Sequence, residues 1–494
     1  MAGNLHSVIY SVIVPAVQKL SNYTGETKAY WFPDATRYIG YNPPTKDKTI
    51  HEFPLYSFVV SDLHAHVVNI IFVLTILTVL FVFLVKAYSI KSSAIDKRWY
   101  LPEPLLVVAG FLIGNFHMTN YWDYPIYLTV TLICLFIISL RNYGFSAKTF
   151  LNTIYHGAMV FVISYIVALP FTIKFIKNVG GIKLAQAHSP LYQLLVLWGC
   201  PLAFLTVFAV YLLVKDTGWK LNPVSTSTEI HYTDFPDSKI LSLARKLHPA
   251  DIFALVLGIC AIGLVLAPEV VYIEDIYTGD YKRANTMFKL TYQSFIMFGL
   301  ATGYIFARLG FYGMRVKKNT VVKTVLAILF ACTMIYPFQA IHSWYGNFDQ
   351  SRYKGLDGLT FMEEKYSDDL NAINWLNKNV KGDPSILEAD GLSYTQNGRI
   401  SMATGLPTIV GWFTHEHLWR GNSTIVSQKV AEVKKIYESG NVEDSSSLLK
   451  KYNIKYIIIG QIEREKFKAL DERKLLSFGK IVFNSGSTKI IEVQ

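Results

Sequence analysis

From Val67 the chain reads VVNIIFVLTILTVLFVFLV, with no charged residue until Lys86. About 20 consecutive apolar residues match the hydrocarbon thickness of a bilayer, and a helix there satisfies its own backbone polar groups. This segment commits the chain to a membrane before anything else is read. Further apolar stretches lie at 104–118, 125–140, 150–171, 191–214, 250–271, 289–310 and 320–341. The predicted architecture is a polytopic α-helical membrane protein with about eight spans. The second and third stretches are short and meet at NYWDYP, so a re-entrant pair is an alternative that keeps the topology parity. Composition agrees: 51% of residues are hydrophobic and 17% charged, against about 25% charged in soluble domains.

The net charge of +11 raises nucleic-acid binding as one explanation, but its distribution points elsewhere. With the segment before Val67 outside, the inner loops hold Lys86, Lys91, Lys97, Arg98, Arg141, Lys148, Lys215, Lys220, Lys239, Arg245, Lys246, Arg308, Arg315, Lys317, Lys318 and Lys323. The outer loops between spans hold only Lys174, Lys177, Lys183, Lys282, Arg283 and Lys289. Membrane orientation by the positive-inside rule accounts for this pattern, and no nucleic-acid partner is expected. The opening MAGNLHSVIYSVIVPAVQKL lacks a basic start and a small-residue cleavage site. Its short apolar stretch, containing Pro15, reads as a helix lying in the interface. Cys134, Cys200, Cys260 and Cys332 all fall in predicted spans and read as small buried hydrophobes.

Three regions are predicted. Residues 1–66 form an extracytoplasmic lead-in with an interfacial helix, 67–345 the transmembrane domain, and 346–494 an extracytoplasmic α/β domain. In the last region SDDLNAINWLNKNV has helical spacing, and SILEAD and KYIIIG read as short buried strands. VSQKVAEVKKIYESG reads as a helix ending at Gly440, with SSSLLKKYN as another.

A charged side chain at a helix centre in lipid costs about 3 kcal/mol, so polar clusters belong at span ends. Here they share one set of ends. HEFPLYSFVVSDLHAH precedes the first span, HMTNYWDYP joins the second and third, and PEVVYIEDIYTGDYKRANTMFKLTYQ joins the sixth and seventh. Such pieces, gathered beside the last domain, would build a cavity where a lipid-linked substrate presents its headgroup. Asp62, His64 and His66 can supply divalent-metal ligands, or a general base with phosphate-binding imidazoles. The competing reading is an interfacial cap, with Asp62 as helix N-cap. Glu269, Glu274, Asp275, Arg283, Asn285 and Lys289 can coordinate a metal or grip phosphate, or form ordinary ion pairs of a charged loop. Asn120 and Asp123 stand out among interfacial aromatics. In the last region Trp412 and Trp419 suit sugar faces, while Glu388, Arg399, His415, Glu416 and Arg420 suit hydroxyls or phosphate. HEHLW is not the zinc-protease pattern, and no P-loop, GxSxG or dinucleotide fingerprint is present.

Together EFPLYSFVVSDLHAH, NYWDYP, PEVVYIEDIY, RANTMFKLTYQ, ATGLPTIVGWFTHEHLWRG and YNIKYIIIGQIER resemble the YYY-domain multi-pass membrane protein family of archaea and some bacteria (Chlor_Arch_YYY). The resemblance covers nearly the whole chain, in the same order. It implies a GT-C-like fold, similar in layout to oligosaccharyltransferases and protein mannosyltransferases. It implies sugar transfer from a polyprenyl-phosphate donor in the membrane lipid at the outer leaflet, with an outer-loop acid as base and an outer domain after the last span. The matching residues are Glu52, Asp62, His64, His66, Asn120, Asp123, Glu269, Asp275, Arg283, Asn285, Lys289, His415, Glu416 and Arg420. Asp62 is expected as base or metal ligand, and His64 and His66 as contacts to phosphate or a divalent metal. Arg283 and Lys289 are expected to neutralise the leaving phosphate. Trp412, His415, Glu416 and Trp419 would close the site from above. Family members begin with further spans and an acidic outer loop holding the principal catalytic acid. This chain starts after that point, and three explanations stand side by side: the front is lost, a separate N-terminal subunit supplies it as a partner, or the gene start is misplaced. Two other classes fit the same layout, a lipid-linked glycan flippase and a non-catalytic membrane scaffold. A transporter would place ionisable groups at midspan and show inverted repeats. The spans here are mostly apolar and no repeat is visible.

Overall fold

The computed structural model describes residues 1–22, 29–89, 103–175, 180–214, 247–275, 277–313, 320–347 and 355–494. Many of the inner-loop basic residues, from Lys91 to Arg98, Lys215 to Lys246 and Arg315 to Lys318, fall outside them, as does Lys177. The chain forms two compact units, one of Met1–Phe175 and Val179–Phe348, the other mainly Asp349–Gln494.

In the first unit every predicted apolar stretch is a helix. In chain order these are α1 Ala65–Ser89, α2 Pro104–Thr119, α3 Asp123–Tyr143, α4 Ala147–Thr172, α5 Leu191–Val214, α6 Pro249–Val270, α7 Ala284–Ala307 and α8 Thr320–Tyr345. Six of them, all but α2 and α7, are long and apolar enough to cross a membrane. The eight expected spans thus divide into six clear ones, the 16-residue α2 and the polar-headed α7. The first turns of α7 carry Asn285, Thr286, Lys289, Thr291, Gln293 and Ser294. Its neighbours α5 and α6 pack along it, so these groups face protein rather than lipid, where each would cost free energy unpaired.

The two ends of the bundle are tied separately. At one end Asn69 of α1, Asp123 of α3 and Gln293 of α7 are hydrogen-bonded, and Tyr345 of α8 donates to the Val59 carbonyl at 2.8 Å. At the other, Arg308 after α7 pairs with Asp251 of α6 at 2.8 Å, and Arg141 of α3 reaches the Ala87 carbonyl of α1. NYWDYP is the tight turn between α2 and α3, closed by the Asp123 N–H on the Asn120 carbonyl at 2.9 Å. Strands β1 (Gly181–Leu184) and β2 (Val271–Glu274) pair antiparallel, from Gly181 opposite Glu274 to Leu184 opposite Val271. The N-terminal segment docks on α5 through the Leu5 N–H to the Val196 carbonyl, 3.2 Å. It leaves Val12, Ile13, Val17 and Leu20 exposed.

The second unit is an α/β domain around a mixed four-stranded sheet. Its strands are β3 Ser385–Leu387, β4 Ile454–Ile459, β5 Gly479–Ser485 and β6 Thr488–Val493, in the order β3-β4-β6-β5. β3 runs parallel to β4, and the other pairings are antiparallel. Ile457, Ile459 and Ile491 enter one apolar cluster while Ile458 and Ile490 enter another. The sheet is therefore buried on both faces, which explains the unbroken apolar run of KYIIIG. Helices Ser367–Asn379, Ser423–Glu438 and Val442–Lys451 supply the cover.

Candidate functional site

The lead-in aims the acids. Helix Pro54–Val59 begins with a proline at its first position, where no N–H is needed. It is closed by Ser61 in the left-handed conformation, φ 55°, with the Asp62 N–H on the Ser57 carbonyl at 2.8 Å. A serine there carries strain that glycine would avoid. The turn redirects the chain just before α1. Asp62 Oδ1 accepts the His64 N–H at 3.0 Å and also contacts the His64 ring Nδ1. Burial alone would raise the Asp62 pKa, but the bonds from the His64 ring and backbone outweigh it and hold the carboxyl below its usual range. The N-cap expectation for Asp62 fails, because His64 occupies that position and caps through no side-chain bond. Asp62 lies too early to reach the first free amides of α1, so it braces His64 instead.

His66, on the first turn of α1, turns inward and is 2% exposed. Its ring meets Phe288 and Tyr292 edge-on, with centroids 4.8 and 4.7 Å away. Its Nδ1 lies 3.3 Å from Lys289 Nζ, and its Nε2 lies 3.5 Å from Asp62 Oδ2. Glu52, held by Arg37 at 2.5 Å, completes the group. Ligand atoms of Glu52, Asp62 and His66 lie within 4.8 Å of one another, and two carboxylates with an imidazole are a donor set for a divalent ion. Asp123 is fully buried. It accepts from Asn69 Nδ2 at 3.0 Å and Gln293 Nε2 at 2.8 Å, with Asn120 also bonded to it. Gln293 in turn accepts from the Tyr127 hydroxyl at 2.6 Å. Lys289 sits in the field of Asp123, Glu52 and Asp62 together.

Residues 268–289 divide in two. Lys289 joins the acids above. Arg283, 3% exposed, forks Asp47 at 2.9 and 2.6 Å and Glu269 at 3.0 Å, and donates to Ser189 and the Pro268 carbonyl. Burial would lower its pKa, but these carboxylates raise it further. Its donors are spent inside the protein. Asn285 donates to Asp275 at 2.6 Å, a second local tie. His64 has a ring 57% exposed, beside Asp62 but outside the buried group.

In the second unit Trp412 donates to the Asn397 carbonyl at 2.9 Å, and His415 Nδ1 bonds the Ser393 hydroxyl at 2.8 Å. Glu416 and Arg420 pair along one helix at 2.7 Å. Glu388 accepts the Ile400 and Ser401 N–H groups, and Arg399 is buried among carboxylates. The Trp419 side chain lies outside the described residues. Sequence reasoning missed Asn69, Gln293, Tyr127 and Arg37. The signal for the first two was present: a carboxamide inside a lipid-length apolar run needs a partner.

Fold and site define a polytopic membrane protein with an ionisable cluster at one end of its bundle. The chain belongs to the family described as "Uncharacterized membrane protein (DUF2298)", whose model matches residues 1–235 and 237–298. Comparison with curated proteins gives no match. Among solved structures, the archaeal oligosaccharyltransferase AglB from Archaeoglobus fulgidus, in complex with an inhibitory peptide and a dolichol-phosphate, is 12% identical with a TM-score of 0.31. The alignment covers 81% of this chain and 52% of that one. The apo form of an Archaeoglobus fulgidus oligosaccharyltransferase is 13% identical with a TM-score of 0.32, covering 81% and 53%. The chain spans about half the length of these structures.

Proposed function

We propose that the protein is a GT-C-like glycosyltransferase of the YYY-domain kind, or the C-terminal portion of one. It would transfer a sugar from a polyprenyl-phosphate-linked donor at the outer leaflet. The observation that carries this reading is the position of Lys289. One ammonium stands 3.3 Å from His66, in the field of Glu52, Asp62 and Asp123, at a single end of the bundle. Transfer from such a donor needs a base for the acceptor and a positive charge for the departing phosphate. Asp62, kept ionised by His64, takes the acceptor proton as the new bond to the sugar carbon forms. The bond from that carbon to the phosphate oxygen breaks, and the phosphate leaves as an anion stabilised by Lys289. Asp123 balances Lys289 when no phosphate is present. Arg283 has no part in this, since its donors are already taken. The lead-in, this end of the bundle and residues 346–494 are extracytoplasmic on this reading.

The test is turnover of a radiolabelled lipid-linked sugar in membranes holding this chain. Asp62→Asn and Lys289→Met are expected to lower transfer by about two to three orders of magnitude with expression unchanged. Normal turnover in both variants removes the assignment.

A further inference from the structure

His66 is 2% exposed, yet its Nε2 has no hydrogen-bond partner among the described residues. That nitrogen faces Asp62 Oδ2 at 3.5 Å, with Glu52 in the same cluster. A divalent ion bound at about 2.0–2.2 Å holds adjacent ligand atoms roughly 3.0–3.5 Å apart. The His66–Asp62 separation already suits this, and a small inward shift of Glu52 would complete three ligands. Arg37 on Glu52 and His64 on Asp62 orient the two carboxylates from outside.

The other ring nitrogen complicates the site. Lys289 Nζ stands 3.3 Å from His66 Nδ1, and an ammonium only donates. While it does so, Nδ1 is the acceptor, and the single proton of a neutral imidazole sits on Nε2. A metal needs the Nε2 lone pair, so it and the Lys289 contact exclude each other. We propose that Glu52, Asp62 and His66 form a divalent-cation site that admits one cation at a time, with Lys289 as its built-in competitor. Two carboxylates and one imidazole suit Mn²⁺ or Zn²⁺. When the ion enters, Lys289 leaves Nδ1 and stays in the field of Asp123, where it already lies. The site is then a switch between an internal and an external positive charge.

The test is titration of the purified protein in nanodiscs with Mn²⁺, following free Mn²⁺ by electron paramagnetic resonance. Wild type is expected to bind one ion weakly. Lys289→Met should bind it at least about tenfold more tightly, Lys289→Arg should stay weak, and Lys289→Met with His66→Ala should lose the ion. No binding by Lys289→Met, no tightening relative to wild type, or retention in the double variant overturns the proposal. Thermal melts of each variant separate misfolding from lost ligation. Neither donor nor acceptor is present, so the outcome is independent of the transfer reading.

Discussion

Arg399 is 1% exposed, and everything around it is arranged to keep a charge buried. Its Nε donates to Asp369 at 2.5 Å, and its fork reaches Glu463 at 3.0 and 3.3 Å. The Ala389 and Gly460 N–H groups also bond Glu463, and the Thr488 hydroxyl bonds Asp369. Burial opposes ionisation of Arg399 and Glu463 alike, but their mutual attraction wins in both, raising the first pKa and lowering the second. Arg399→Met leaves two buried carboxylates unpaired and should cost about 3–5 kcal/mol, read as early release of the second unit in limited proteolysis. Sequence placed Arg399 as a ligand-binding candidate because an arginine among polar residues looks the same whether its partners are internal or external. His51 yields a prediction of different sign. Burial, then the charge of Arg283, pushes its pKa from 6.5 down to about 3. The folded state therefore holds it neutral, while the unfolded chain takes a proton below 6.5. Its contribution is complete above that pH and is lost as pH falls toward 3, by at most about 1.4 kcal/mol per pH unit. His51→Phe should flatten this part of the stability–pH curve in thermal melts.

Among the elements, α2 and α4 approach closely through glycine. A Cβ on Gly114 would stand 2.6 Å from the Ser164 carbonyl and 2.7 Å from Val167 Cβ. Small residues allow such contacts between membrane helices. Gly114→Ala should destabilise by about 1–3 kcal/mol, seen as a lower melting temperature in detergent. The α7 helix was expected at 289–310 and begins five residues earlier, at Ala284. A hydropathy reading starts only where polarity ends, whereas helix propagation needs backbone partners and tolerates polar side chains that face protein. The β5–β6 hairpin was not anticipated, because its strand faces mix Lys480, Asn484 and Lys489 with apolar residues. By contrast the buried β4 was plain from its isoleucines.

For the whole molecule, a bundle crossing the membrane has opposite ends in different compartments. Tyr121, in the α2–α3 turn, is 56% exposed and Phe145, in the α3–α4 turn, is 79% exposed. They mark the two ends of α3. In right-side-out vesicles an impermeant maleimide should label Tyr121→Cys directly and Phe145→Cys only after permeabilisation. The reverse pattern would put the Lys289 cluster inward and remove the outer-leaflet donor. Labelling of both from one side would remove the spanning arrangement of α3. Cys134 and Cys200 are buried, whereas Cys260 and Cys332, also expected to be buried, are only partly so, and labelling is therefore read against the unsubstituted chain.

By itself the sequence determined that the chain lives in a membrane, where its apolar stretches form helices among the described residues, and which polar segments share their ends. Each of these depends on hydrophobicity summed along a short window, a property contiguous residues carry alone. Only the tertiary structure decided which charges meet. Lys289 finds His66 across 223 positions, while Arg283, six residues earlier in sequence, is consumed by Asp47 across 236. Both cations look equally available in a linear reading. Their fates differ because helix packing brings a carboxylate pair to one and leaves the other among groups that a substrate or an ion can still engage.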